Sequence, residues 1–268
     1  MPGGNDPAAS GRFRAFLRKE FSGWRPGEVC WLAFCLLSIV SLSLYWRDSF
    51  PGIVAAASGV MYTVLAGKGK VSCYLFGLVN APLYAWLSWR QAYYGDMALN
   101  LYYFAMMFPG LWFWSRNLSA NPASGIVKSR LPPRERAVWA AVIAISSLAL
   151  WAVLSAFGGS RPLCDAFTDV LSVAAMLLTV KRCIEQWMLW IAVDAIEIFM
   201  WWGVYRAGGE GISVLLMWLL FLANGVYLFR LWLKDRPPSP GRSPDILEIS
   251  QFLQVAFFLH RFLQHQKT

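Results

Sequence analysis

The chain has 268 residues, 57% of them apolar and 15% charged, with a formal charge of +9. Soluble globular domains carry roughly 25% charged residues, and here the charges gather in short clusters between long apolar runs, which argues against a soluble domain. It also argues against nucleic-acid binding, which needs the basic residues gathered on one soluble face.

Taken in chain order, the sequence opens on a basic segment. Residues 11–25 set Phe13, Phe16, Leu17 and Phe21 among Arg12, Arg14, Arg18, Lys19 and Arg25, a pattern open to an interfacial helix or a disordered basic leader. Apolar stretches of about 17–25 residues can cross a bilayer core. Eight follow: 29–46, 50–66, 71–91, 97–115, 137–157, 164–180, 184–205 and 212–233. The first exceeds a usual signal-peptide core and is interrupted by Arg47 and Asp48 before the small residues Ala55, Ala56 and Ala57, so an uncleaved helix is expected. All spans are expected to be helices, because lipid offers no partner to open backbone and the alternation of a barrel strand is missing. Pro237, Pro238 and Pro240 then break the chain. Residues 245–263 place Ile246, Ile249, Phe252, Leu253, Ala256, Phe257 and Leu263 at helical spacing, as in an amphipathic cytoplasmic helix.

The basic residues alternate between loops. The N-terminal segment, the loops with Lys68 and Lys70, with Arg116 to Arg136, and with Lys181 and Arg182, and the end at Arg230, Lys234 and Arg236 are rich in them. The intervening loops hold one each: Arg47, Arg90, Arg161 and Arg206. The positive-inside asymmetry predicts both termini in the cytoplasm and an even number of spans.

Chemistry-bearing motifs are few. Cys30, Cys35, Cys73, Cys164 and Cys183 show no ligand spacing, and the two histidines, His260 and His265, lie in the tail. No metal site, cofactor or catalytic residue is expected. Gly67-Lys68-Gly69-Lys70 is not a phosphate loop, because Tyr62 and Gly69 stand where a glycine and a Ser or Thr are required.

The chain also resembles itself. At an offset of 114 residues Asn80 meets Asp194, Gly95-Asp96 meets Gly209-Glu210, Arg116 meets Arg230 and Lys68 meets Arg182. Two units of three spans, 50–115 and 164–233, then flank one linker span, 137–157. An odd linker makes the units parallel, a plan in which transporters hold substrate at the midplane between halves. On 184–205, Trp187, Trp190, Asp194, Glu197 and Trp201 fall within an arc of about 80° with Gln186 beside it. Carboxylates at mid-span cost about 2.5–3.5 kcal/mol each on insertion scales and must face protein or a wet cavity. Indoles beside acids suit a cationic, aromatic ligand, although pairing with a cation from another helix would also explain the acids. Asn80 and Tyr84 on the matching span, and Asn224 on the last, complete the candidate set.

The stretches 70–116 (KVSCYLFGLVNAPLYAWLSW…LWFWSR) and 165–232 (DAFTDVLSVAAMLLTVKRCIEQWMLWIAVDAIEIFMWWGVY…FLANGVYLFRLW) resemble the PnuC family of bacterial nicotinamide riboside transporters, with Gln186-Trp187-x-x-Trp190 similar to its Trp-x-x-Trp signature. The resemblance implies an all-α integral membrane protein with a three-plus-one-plus-three core like that of the SWEET transporters, here with an extra N-terminal helix at 29–46. It implies facilitated diffusion across the bacterial inner membrane, trapping by a cytoplasmic nicotinamide riboside kinase, and a homotrimer. Asp194 opposite Asn80, and Met107-Phe108-Pro109-Gly110 in the fourth span, depart from the family pattern. Thiamine or riboflavin transport, a membrane enzyme using Asp194 and Glu197 as acid and base, and a channel or structural subunit are the alternatives.

Overall fold

The computed structural model describes residues 20, 22–90, 93–121, 125–158, 161–207 and 212–234. The expected N-terminal interfacial segment, apart from its last few residues, and the amphipathic tail lie outside them. Eight long helices are described: α1 Pro26–Tyr45, α2 Phe50–Gly67, α3 Cys73–Arg90, α4 Tyr94–Ala120, α5 Pro133–Ala156, α6 Pro162–Val180, α7 Glu185–Arg206 and α8 Ile212–Lys234. Each overlaps one predicted span. Five of them, α1, α2, α5, α6 and most of α8, are long and apolar enough to cross a membrane. The other three are as long but carry polar residues within them: Asn80 on α3, Asp96 and Asn100 on α4, Asp194 and Glu197 on α7.

Local chemistry marks the helix starts. Ser49 caps α2 by accepting from the Gly52 N–H, and Pro51 sits in its first turn. The Glu28 carboxylate accepts from the Arg25 N–H at 2.8 Å and closes the first turn of α1. Prolines 26, 133 and 162 stand at the first position of α1, α5 and α6, where a missing N–H costs nothing. Inside α3 and α4, Pro82 and Pro109 each remove one backbone donor.

Consecutive helices pack on one another except across the longer α4–α5 connection. Two larger seams bind distant parts, α4 against α6 and α8 against α2, and α1 also touches α8. Each seam carries a buried tryptophan bond near its basic end. Trp114 Nε1 of α4 donates to the Thr179 carbonyl of α6 at 3.1 Å, and Trp232 Nε1 of α8 donates to the Gly67 carbonyl of α2 at 2.6 Å. Gly67 must be glycine there, since a Cβ would lie 2.3 Å from Leu228. The linker after α4 runs beside the α6–α7 turn, where Ser129 and Ile184 exchange backbone bonds with Arg182 and Ser129. Helix α5 packs only on α6 among the principal contacts.

The turns after α2 and α6 are built alike. Lys68, Gly69 and Lys70 donate to Val64, Ala66 and Leu65; Lys181, Arg182 and Cys183 donate to Leu177, Thr179 and Leu178. Gly69 and Arg182 share a left-handed backbone, at φ 67° and 61°. The two turns therefore match at an offset of 113 residues, not the 114 read from the sequence. Burial on α3 and α7 follows the same register: Tyr74 pairs with Trp187 and Ala81 with Asp194, all buried. Asn80 is consequently one residue out of step with Asp194.

The N-terminal residues brace this basic end. Lys68 pairs with Glu28 at 2.8 Å, donates to the Gly23 carbonyl and lies 5.6 Å from the Trp24 ring. Lys70 donates to the Ser22 carbonyl, and Glu20 accepts from the Ser72 N–H.

Candidate functional site

Helix α7 presents most of the predicted residues, in the predicted order. Gln186 and Trp187 are buried near its start, and the Trp187 ring meets Trp232 of α8 edge-on at 5.7 Å. Gln186 Nε2 and Trp187 Nε1 have no partner among the described residues. A turn further on, Trp190 Nε1 reaches Thr179 Oγ1 of α6 at 3.4 Å, and its ring lies 6.2 Å from Tyr103 of α4. Asp194 follows, 7% exposed. Gly225 of α8 faces it: a Cβ there would lie in ordinary contact, 3.6 Å from Asp194 Oδ2 and 3.4 Å from Ile191. Glu197 is half-buried and hydrogen-bonded by Trp201.

The charges around Asp194 and Glu197 are acidic, and the nearest cation acting on the group, Arg161, acts on Asp165 at its edge. Glu197 is the charged neighbour that acts on Asp194, and Asp96 and Asp165 are those that act on Glu197. Asp169 of α6, in turn, feels Asp96, Asp165 and Glu197. Among the described residues no Lys or Arg forms an ion pair with Asp194 or Glu197, so the alternative account of the acids, pairing with a cation from another helix, finds no support there. Among the same residues no three His, Cys, Asp or Glu side chains stand close enough to hold a metal.

Asp169 escaped the sequence reading. Its signal was present: Asp165, Asp169, Ser172 and Met176 recur at helical spacing on α6. Tyr103 was missed as well; its hydroxyl pairs with Ser172, and its ring meets Trp190.

The remaining candidates are tied elsewhere. Asn80 Nδ2 donates to the Ala55 carbonyl of α2 at 2.7 Å, and Gly59 of α2 lies against its amide. Tyr84 is half-buried and lies within electrostatic reach of Asp48, beyond the end of α1. Neither is hydrogen-bonded to a residue of α7. Asn224 is buried next to Gly225, and its Oδ1 accepts from Trp31 Nε1 of α1 at 3.0 Å. The structure therefore brings Gln186, Trp187, Trp190, Asp194, Glu197 and Asn224 to the α7–α8 region, adds Asp169 and Tyr103, and leaves Asn80 and Tyr84 facing the first three helices.

An open cleft of about 480 Å³ lies elsewhere, between the start of α6 and the end of α7, with Arg161, Cys164, Phe199, Trp202 and Arg206 among its walls. None of the predicted residues lines it. Arg161 there donates to the Met200 carbonyl at 2.7 Å.

A family model described as nicotinamide mononucleotide transporter matches residues 49–234. The chain is 32% identical over 223 residues to the nicotinamide riboside transporter PnuC of Haemophilus influenzae, covering 82% of this chain and 96% of that protein. It is 33% identical over 224 residues to the nicotinamide riboside transporter PnuC of Neisseria mucosa, covering 81% and 84%. A crystal structure of the vitamin B3 transporter PnuC is similar at a TM-score of 0.70 and 32% identity, covering 83% of this chain and 96% of that one.

Proposed function

The chain belongs to the nicotinamide mononucleotide transporter family, and from that premise we propose that it carries nicotinamide riboside across the bacterial inner membrane. The relatives it matches are named as transporters of the riboside; it is a transporter and not an enzyme. The observation that carries the substrate reading is the set of uncompensated acids beside indole rings on α7.

Charge discriminates between the two ligands that these names suggest. Nicotinamide riboside bears a pyridinium cation and no phosphate, whereas the mononucleotide adds a phosphate anion. Asp194 and Glu197 have only acids as charged neighbours among the described residues. A phosphate here would meet carboxylates with nothing to neutralise it, while a pyridinium relieves their mutual repulsion. In this reading the pyridinium stacks against Trp190 and Tyr103, with Trp187 behind them. Asp194 supplies the counter-charge, and Gln186 and Asn224 bond the amide or the ribose hydroxyls. Asn80 and Tyr84 contribute from the opposite half only if α2 and α3 move relative to α7. Thiamine is also a cationic aromatic and is the strongest competitor; riboflavin, uncharged, is not.

Transport by facilitated diffusion, with a cytoplasmic kinase trapping the product, suits a chain with no phosphate loop of its own. The proposed arrangement is two parallel three-helix units, 50–115 and 164–233, around linker 137–157, preceded by one extra helix and assembled as a homotrimer. All eight helices cross the membrane, both termini lie in the cytoplasm, and residues 237–268 form a cytoplasmic tail. What supports the repeat is reciprocity. The third helix of each unit packs on the first helix of the other, each through a tryptophan bonded to a backbone carbonyl. The charge asymmetry of the loops supports the orientation.

The test is equilibrium titration of the purified protein with nicotinamide riboside, nicotinamide mononucleotide, thiamine and riboflavin. The riboside is expected to bind at least tenfold more tightly than the other three. Equal or tighter binding of the mononucleotide would refute the electrostatic argument, and tighter thiamine binding would reassign the substrate. Uptake of the riboside into sealed liposomes without an ion gradient tests facilitated diffusion; dependence on a gradient would overturn it.

A further inference from the structure

Helix α1 precedes the residues that the family model matches, yet it is joined to the candidate site. One face of it, Trp31, Leu32, Cys35, Leu36 and Ile39, recurs at helical spacing and packs where α2 meets α8, against Val60, Val64 and Phe221. The point of chemical contact is Trp31. Its indole N–H donates to Asn224 Oδ1 at 3.0 Å, and its ring lies 5.9 Å from Tyr227, one helical turn further along α8.

An indole N–H can only donate, so the Asn224 atom facing it must be the carbonyl oxygen. That bond fixes the amide plane and leaves the two N–H donors of Nδ2 turned away from Trp31. Asn224 is 4% exposed, and its neighbour Gly225 lies against Asp194. At 1.5 Å per residue, Asp194 and Asn224 stand about 14 and 15 Å from the basic ends of their helices, the same depth. An unheld buried amide could turn over and offer its oxygen instead, which an electron-rich, acid-lined site would not use in the same way.

We infer that Trp31 is a positioning residue for substrate: the N-terminal helix holds Asn224 in the one amide orientation that presents N–H donors to the ligand beside Asp194. The extra helix is thereby part of the binding machinery and not an appended membrane anchor. The inference rests on the reading of Asn224 as a substrate-binding residue, and the variants separate the two. Trp31→Phe keeps the ring and removes the donor. Asn224→Leu, near-isosteric, removes the amide; Asn224→Ala serves if the leucine variant does not fold.

Isothermal titration of nicotinamide riboside into the full-length protein in detergent supplies the readout, with thermal unfolding recorded alongside. A net hydrogen bond of typical strength sets the scale, so Trp31→Phe is expected to weaken binding about fivefold. In the Asn224→Leu background the same substitution changes affinity less than about twofold, because its effect passes through the amide. If Asn224→Leu leaves affinity unchanged, the assignment of Asn224 to the site is wrong. If Asn224→Leu weakens binding but Trp31→Phe alters only the unfolding temperature, Asn224 stands and the positioning role falls. Equal losses from Trp31→Phe in both backgrounds would likewise overturn it.

Discussion

Replacing Asp194 with Asn removes one charge and little else. The side chain is 7% exposed, and its charged neighbour is another acid, Glu197. In the empty protein the carboxylate therefore stabilises nothing, and its loss should leave the unfolding temperature unchanged or raise it. With a pyridinium bound the sign reverses. Two unit charges about 5 Å apart at an effective dielectric of about 20 attract by about 3 kcal/mol, which is about a hundredfold in affinity. Partial hydration of the half-buried Glu197 end reduces this, so a loss of at least tenfold is expected. The assay pairs titration with nicotinamide riboside and thermal unfolding of the ligand-free protein. Unchanged affinity, or weaker binding accompanied by a lower unfolding temperature, would refute the reasoning, since the carboxylate would then be structural.

Four other outcomes follow from the same geometry. Asn80→Ala should weaken binding less than Asp194→Asn in the same titration, because the Asn80 amide is held by the Ala55 carbonyl on α2. Asp169→Asn should weaken riboside binding several-fold through lost long-range attraction, and adding salt should not mimic it as it would for an exposed charge. Gly67→Ala brings a Cβ to 2.3 Å from Leu228 and should destabilise by about 1–3 kcal/mol, read as a lower unfolding temperature. Trp114→Phe and Trp232→Phe each remove one donor across a seam and should each cost about 1 kcal/mol in chemical denaturation.

The helices were legible because apolar length is a strong signal, and each predicted span falls on a described helix. Their ends were less so. Helix α4 runs to Ala120 and α5 starts at Pro133, five residues past the expected span 97–115 in one case and four before 137–157 in the other. Polar and capping residues extend a helix without adding hydropathy. The acid–aromatic stripe was legible too, since α7 has the period that its spacing demanded.

What misled was register. Matches of Leu, Val and Ala between two apolar helices carry little information, so an offset of 114 looked as good as 113. The turns decide it through backbone conformation: Gly69 and Arg182 are both left-handed. Sequence suggests that conformation for the glycine but not for the arginine. Pairing Asn80 with Asp194 depended on the wrong offset. Asp169 is hard to single out in the sequence because it lies in the first half of α6, where an acid can equally sit at the membrane surface. The bond from Trp31 to Asn224 joins residues 193 apart, and no local pattern in either helix announces it.

The most direct test of the account is uptake of labelled nicotinamide riboside by sealed liposomes holding the purified protein. Saturable uptake of the riboside, little uptake of the mononucleotide, and loss of riboside uptake in Asp194→Asn are the results predicted. Equal uptake of the mononucleotide, or full riboside uptake by Asp194→Asn, would contradict the central claim that uncompensated acids on α7 select a phosphate-free cation.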